Sequence, residues 1–266
     1  VGAGENLSMI AARYGTDVKT LVELNRLKSP DLVYAGQKLL LTAKVNEPPK
    51  PPEANRNTNP EPASPPPQEG PTIYSPPAGG EKRIALTFDD GPDANLTPRV
   101  LEILAKHGAK ATFFVIGKEV QRQPDLAKRI VEAGHELASH SYGHTALTRI
   151  SEAAMKKDLS ASVEAIRNVG ANPRFFRPPA GAYSEAVDSA VKQLGLRTVL
   201  WANIGGSDLP ADALTRRTLA SLYDSAIILL YDNRQSTVDA LDQILSVAKN
   251  QGYKPVTLSE LLGKGN

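Results

Sequence analysis

The sequence predicts an α/β fold for its larger, C-terminal part: a parallel sheet closing into a complete or incomplete (β/α) barrel, with a small α+β unit ahead of it. Three observations lead there. From Glu81 onward, short apolar runs alternate with amphipathic stretches, the pattern of strands and helices taken in turn. Six or seven such units follow one another, close to the number that carries a parallel sheet round into a barrel. Before them, residues 44–80 hold 12 of the 21 prolines and almost no apolar periodicity, so separate cores are expected on either side.

At 266 residues the chain has room for one small and one larger domain. Lys plus Arg number 31 against 29 for Asp plus Glu, and a net charge of +2 gives no electrostatic case for nucleic acid or an anionic membrane surface. There is no cysteine, which excludes disulfides and thiolate metal sites; a metal here must be held by His and carboxylate. No apolar run reaches the length of a membrane span. The sequence starts at Val1 with no initiator Met, and a removed signal peptide is expected although none is visible. A monomer is expected.

Taken in order, residues 1–43 carry a pattern of their own. ENLSMIAARY (5–14) sets Leu7, Ile10 and Ala11 on one helical face; Gly15 ends that helix, and Asp17 caps a second carrying Val18, Leu21, Val22 and Leu24. GQKLLL (36–41) reads as a closing strand. The Gly-Glu-Asn-Leu start, the Ile-Ala-x-x-Tyr-Gly helix end, Asn25 and the Ala-Gly-Gln-Lys-Leu finish together resemble a LysM module over nearly the whole segment. That resemblance implies a βααβ unit binding N-acetylglucosamine-containing glycans such as peptidoglycan or chitin. Its groove would be lined by Gly4, Glu5, Asn6 and Leu7 and by Leu27, Lys28, Ser29, Pro30, Asp31 and Leu32. A helix pair without a ligand is the alternative.

Residues 44–80, densest in PPKPPE and SPPPQEG, read as an extended, semi-rigid linker. At about 3.1 Å per residue in polyproline II form it spans on the order of 100 Å. A glycan-gripping module on such a tether raises the effective concentration of polymer near the second domain.

In that second domain, 81–266, strands are expected at 84–88, 111–116, 136–138, 175–176, 198–201, 226–230 and, more weakly, 255–257. Helices are expected at 98–107 with Thr97 as cap, 125–133, 152–169, 185–194 with Ser184 as cap, 211–222 and 238–250.

In parallel α/β folds chemistry sits where strands end. TFDDGP (87–92) closes the first strand and sets Asp89 and Asp90 before a Gly91-Pro92 turn. Adjacent like charges repel and need compensation, such as a metal for one and a cation for the other. On this stretch alone an exposed turn with two solvated acids fits as well. The case for a site is convergence: His140 and His144, in SHSYGH, follow the third strand, Arg177 in RPPAG the fourth, and Tyr231 and Asp232 the sixth. Two histidines four apart, joined by one carboxylate, form a common ligand set for Zn²⁺ or another first-row divalent ion, with positions left for water and substrate. The chain has 4 histidines; of the others, His107 ends a helix and is expected to be solvated, and His135, after Gly134, to be packed.

The acid pair, the His-x-x-x-His and the Arg-Pro-Pro-x-Gly, in that order, resemble the polysaccharide deacetylases of carbohydrate esterase family 4, the NodB-homology group, from about Arg83 to Val256. The resemblance implies a distorted (β/α) barrel and metal-dependent removal of N- or O-acetyl groups from sugars. It implies Asp90, His140 and His144 as metal ligands, with Zn²⁺ the expected ion and Co²⁺ or another first-row metal the alternative. Asp89 would be the general base that takes a proton from water at the metal, and Arg177 would hold it ionised. The backbone N–H of Ala180 would stabilise the oxyanion, with Pro178, Gly181, Leu209 and Leu229 beside the substrate. A metal that acidifies its water and fixed donors that meet a tetrahedral charge suit those roles. The absence of Glu after the first His argues against a zincin.

Two of the family's motifs are altered here. The fourth usually ends in Asp-Trp; its counterpart is Ser207-Asp208-Leu209, reached through Gly205-Gly206, so the Trp that lines the acetyl pocket is missing. The fifth is usually Leu-x-His, with the His as general acid; here it reads Leu229, Leu230, Tyr231, and no histidine occurs after His144. Losing a general acid costs about 10²- to 10⁴-fold, since an amine leaves poorly unless protonated. A phenol, with an ordinary pKa of about 10, is ill matched to that task, and Asp208 would orient it in place of an imidazole. Three readings stay open: a deacetylase in which Tyr231 or a water supplies the proton, an O-acetyl esterase whose leaving group depends less on protonation, and a cell-wall-binding protein that keeps the metal and glycan groove but turns over little or nothing. Tyr231 as a strand-end packing residue fits the sequence as well as Tyr231 in catalysis. The polymer implied places the chain in the cell envelope or outside the cell.

Overall fold

The computed structural model describes residues 18–25, 39–41, 82–201 and 209–263. The chain divides into two compact units, Val1–Glu69 and Gly70–Asn266. In the first, helix α1 (Val18–Leu24) buries Leu21. Asn25 ties it to a later segment: its Nδ2 donates to the carbonyls of Leu21 and Leu40, at 2.8 and 3.0 Å, and its Oδ1 accepts from Leu40 N at 2.7 Å. One amide side chain thus meets both backbone groups of Leu40, as a strand neighbour would. Residues 39–41 carry no strand, and the rest of the expected strand, 36–38, lies outside the described residues. The expected helix at 5–14, Asp17, and the groove positions 4–7 and 27–32 lie outside the described residues.

The second unit is built on a 7-stranded parallel sheet. Its strands are β1 (Arg83–Asp89), β2 (Thr112–Val115), β3 (Glu136–Ser139), β4 (Phe175–Phe176), β5 (Arg197–Thr198), β6 (Ile227–Tyr231) and β7 (Lys254–Val256). They run in the order β5-β4-β3-β2-β1-β6, with β7 on the first half of β1, so β1 is the hub. No ladder joins β5 to β6 among the described residues: the curled sheet is an incomplete barrel. β5 stops at Thr198, short of the expected 201.

β1 is buried from Ile84 through Asp89 on both faces, as a central parallel strand must be. Ile84, Leu86 and Phe88 turn outward with Phe113, Ile228 and Leu230 against the helices: Leu104 of α2 (Thr97–His107), Ile130 of α4 (Pro124–Glu132), Ile166 of α5 (Glu152–Arg167) and Leu241 of α8 (Gln235–Asn250). Ala85 turns inward with Phe114, Ala138, Phe175, Val199, Ile227 and Val256. By the same alternation Thr87 and Asp89 belong to the inner face, which carries them to the carboxyl end of the barrel interior.

Helices α6 (Glu185–Gln193) and α7 (Ala211–Ala220) lie close to their expected positions, and Ser184 caps α6 by accepting from Val187 N. Thr97 is not a cap. It is the first helical residue, and Asp93 serves the helix start by accepting from Asn95 N and Leu96 N at 2.9 and 2.8 Å. Two short helices had not been expected: α3 (Gly117–Arg122), which opens on a glycine, and α9 (Leu258–Leu262), whose Thr257–Glu260 capping box is a readable signal. His135 is packed, edge-on to Phe113, and burial followed by the charge of Lys110 pushes its pKa down to about 4. His107 is not solvated as expected: its side chain is 14% exposed and meets Asp242 at 2.8 Å.

The close seat of α3 depends on Gly117, where an added Cβ would lie 2.9 Å from the Cα of Ser162 in α5. That neighbour is backbone and cannot swing aside, so Gly117→Ala is expected to destabilise the second unit by about 1–3 kcal/mol. Chemical denaturation would test this, and a variant as stable as the parent would refute the packing argument.

Candidate active site

The acids, imidazoles and guanidinium meet at the carboxyl end of the barrel, and unusual backbone puts them there. Among the described residues the non-glycine positions with positive φ are Asp90 (74°), Ser141 (65°), His144 (57°), Ala180 (54°) and Ser225 (70°). All but the last lie in TFDDGP, SHSYGH or RPPAG. Left-handed backbone at a residue with a Cβ persists where surroundings over-determine it, and here they do. Gly91 O accepts from Ile116 N at 2.9 Å, and Pro92 O from Gln123 Nε2 at 2.7 Å. In the histidine loop, Asp158 accepts from Tyr142 N and Gly143 N at 2.8 and 2.9 Å, and Ser141 Oγ from His144 N at 2.9 Å.

Asp90, His140 and His144 each offer a ligand atom, all within 4.8 Å of one another. His144 Nε2 lies 3.1 Å from Asp90 Oδ1 and His140 Nε2 lies 3.5 Å from it. His140 Nδ1 is 2.8 Å from the Arg177 carbonyl. A carbonyl only accepts, so a proton sits on Nδ1, and Nε2 is the ring nitrogen that faces the cluster. Asp90 Oδ1 is buried and makes no hydrogen bond. An orphaned carboxylate oxygen facing two imidazole nitrogens is the disposition of ligands awaiting a cation, and the donor set fits a first-row divalent ion. Burial would raise the Asp90 carboxyl, but the two imidazoles outweigh it and hold it well below the usual carboxylate range. In return Asp90, by direct contact, raises His144.

Beside this cluster, Arg177 is fully buried. Its Nη1 donates to Asp89 Oδ1 at 2.6 Å and to Thr87 Oγ1 at 2.8 Å, Nη2 to the Leu200 carbonyl at 3.2 Å and Nε to the Val199 carbonyl at 3.4 Å. Its guanidinium carbon lies 3.9 Å from the Phe114 ring centre. Burial lowers the guanidinium from its ordinary value and Asp89 draws it back up; it stays charged. Asp89 Oδ1 is thus committed to Arg177, while Oδ2 faces His140 Nε2 at 3.7 Å.

Tyr231 is the register partner of Asp89 across the β1–β6 ladder. Burial, then the charges of Asp89 and Asp90, push the phenol up to about 12. The Arg234 guanidinium lies 5.8 Å from its ring centre. Leu229, two residues back on the same face, is buried. Pro178 is buried and extended, and Ala180 and Gly181 form the left-handed turn after it. Leu209 is half-buried against the main apolar cluster, and Asp208 lies outside the described residues. Sequence reasoning missed one neighbour, Trp201. The chain's 1 tryptophan lies 5.5 Å from Arg177 at its ring centre and stands 3.2 Å from where a Cβ on Gly181 would be. Strand parity from Val199 could have flagged it. Asp232, next after Tyr231 and placed with it at the strand end, is fully buried.

The curled parallel sheet, with an acid–guanidinium pair and an Asp-His-His cluster at its strand ends, is that of a carbohydrate esterase family 4 barrel. A polysaccharide deacetylase profile matches residues 77–199, and a LysM domain profile matches residues 1–42. A peptidoglycan-N-acetylglucosamine deacetylase of Bacillus cereus is 38% identical over 194 residues, covering 68% of this chain and 89% of that protein. One from Listeria monocytogenes is 39% identical over 193 residues, covering 71% of this chain; the chain spans 41% of that relative's length. A solved family 4 pseudoenzyme from Bacillus anthracis matches at TM-score 0.65 with 32% identity, over 69% of this chain and 66% of that one. A mutant of it is described as having restored enzymatic activity. The chain belongs to the polysaccharide deacetylase family, with a LysM domain at its N-terminal end.

Two predictions follow from the geometry. Asp90→Asn and His140→Ala are each expected to weaken Zn²⁺ binding by about 100-fold or more in calorimetry, and wild-type affinity in either would remove that residue from the ligand set. The second concerns Asp232, which burial, then Asp90 and Asp89, push up to about 7 against the hydrogen bonds from Thr97 and from its own backbone N–H. A raised carboxyl favours the neutral form, so its contribution is full below the ordinary carboxylate value and is lost as pH rises through about 7. In metal-free protein, the Tm of the wild type is therefore expected to fall relative to Asp232→Asn between about pH 5 and about pH 8. A constant gap would contradict the assignment.

Proposed function

We propose that this chain removes acetyl groups from an N-acetylated cell-wall polysaccharide, peptidoglycan or a chitin-like polymer, with a divalent metal, Zn²⁺ foremost. The observation that carries this reading is Asp89: buried, bound through one oxygen to a buried Arg177, with the other oxygen turned to the metal-ligand cluster. Asp90, His140 and His144 would hold the ion, which when bound acidifies a water and polarises the acyl carbonyl. Asp89 Oδ2 accepts the proton of the attacking water. Arg177 holds the other oxygen of that carboxylate and cannot take the proton itself. The left-handed turn at Ala180 presents its backbone N–H to the developing oxyanion. Pro178, Gly181 and Leu229 shape the floor and rim, with Leu209 and Asp208 assigned by family position.

The amine must leave protonated. Tyr231 holds its proton tightly, so the proton taken by Asp89 is the one available for return to nitrogen. The second reading, a binding protein with little or no turnover, is favoured by this same phenol and by the likeness to a family 4 pseudoenzyme. An O-acetyl substrate would ease the demand for an acid. In either case residues 1–43 grip the polymer, 44–80 tether, and 81–266 act on it, which sets the protein in the envelope or outside the cell. No described helix is long and apolar enough to cross a membrane.

The test is acetate release from N-acetylated peptidoglycan and chitin oligomers with Zn²⁺ or Co²⁺ added. Asp89→Asn is expected to lower the rate by about 10²- to 10⁴-fold, and Tyr231→Phe by less than about 10-fold. Tyr231→His is expected to raise it by about 10-fold or more. No release by metal-loaded wild type, with release by Tyr231→His, would establish the binding protein instead.

A further inference from the structure

Asp232 is an acid the chemistry above does not use, and its surroundings are specific. It has no exposed surface. Oδ2 accepts from Thr97 Oγ1 at 2.6 Å, and that hydroxyl in turn accepts from Asp93 N at 2.7 Å. Oδ1 has no partner. The carboxyl also fills the space that a side chain at Gly91 would take: a Cβ there would stand 2.0 to 2.4 Å from its three carboxyl atoms. A buried acid with one side-chain partner is costly to keep, and it lies directly against the turn that carries Asp90.

We propose that Asp232 is a positioning residue for Asp90, clamping the Asp90-Gly91-Pro92 turn from the end of β6; this rests on the reading of Asp90, His140 and His144 as metal ligands. The turn is held from one side by Ile116 N on Gly91 O and by Gln123 on Pro92 O. Asp232 closes the other side, through volume against Gly91 and through Thr97 to Asp93 N. Asp90 sits at φ 74°, which a residue with a Cβ keeps only when confined. Opening that side lets the backbone relax and carries Asp90 Oδ1 away from the two imidazoles. Since the clamp works by shape and by one accepted hydrogen bond, an amide can replace the acid: the oxygen of Asn accepts from Thr97 and fills the same volume.

The experiment is Zn²⁺ titration of the full chain by calorimetry, with the Tm of each metal-free variant measured beside it. Asp232→Ala is expected to weaken binding by about 10- to 100-fold, Asp232→Asn to stay within about threefold of wild type, and Thr97→Val to fall between them. Wild-type affinity in a folded Asp232→Ala overturns the proposal. So does an Asp232→Asn as weak as Asp232→Ala, which would make charge the property that matters. Should Asp232→Ala fail to fold, Thr97→Val decides, since it keeps the volume and removes the donor; unchanged affinity there overturns the clamp. A wild type that binds no Zn²⁺ defeats the metal reading itself, and the clamp with it.

Discussion

The buried pair of Arg177 and Asp89 is the interaction on which the second unit depends. A guanidinium with no exposed surface loses its hydration, and removing one partner of such a pair costs about 3–5 kcal/mol because the other charge is stranded. Arg177 avoids that by spending its donors across the barrel. It reaches Asp89 and Thr87 on β1 and the carbonyls of Val199 and Leu200 beyond β5, and it lies on Phe114 of β2. Thr87 passes the connection on by donating to the Ile228 carbonyl of β6 at 2.7 Å. The group that pairs with the acid therefore also fastens the strands of an open barrel around it.

The strands supply position and the loops supply aim. Parallel register sets Asp89 beside Tyr231, and brings the residue after Ser139 to the level of Arg177. It does not turn Asp90 and His144 toward a common point; the left-handed steps at those two residues do that. Each step is secured by a group from a different element, such as Asp158 of α5 or Gln123 ahead of α4. The site needs most of the barrel, though its chemistry occupies a few residues.

What the sequence disclosed follows from how local each signal is. Buried parallel strands read as apolar runs, so 84–88 and 226–230 came within a residue or so of β1 and β6. His140 and His144 were legible because the chain has so few histidines, and Asp89 and Asp90 because adjacent acids need a reason. Thr97 misled because its hydroxyl serves Asp232, more than a hundred residues away, and not its own helix end. Trp201 was overlooked because the aromatic was sought at position 209, whereas inner-face parity running through Val199 delivers one to Gly181 from an earlier point on the chain. His107 and α3 failed on the same ground: what fixes them is a neighbour distant in sequence.

Tyr231 shows why position alone does not make an acid. It occupies the strand end beside Asp89, and the same burial and the same two carboxylates act on whatever stands there. On an imidazole, nearby negative charge favours the protonated ring and draws its pKa toward the neutral range, where it gives up a proton readily. On a phenol, burial and then that charge both disfavour the ionised form and together push the pKa up to about 12, away from use. One electrostatic field therefore suits one residue to proton delivery and unsuits the other. Under the mechanism proposed for this chain, returning the proton would fall to Asp89, whose Oδ2 would have taken it from the water.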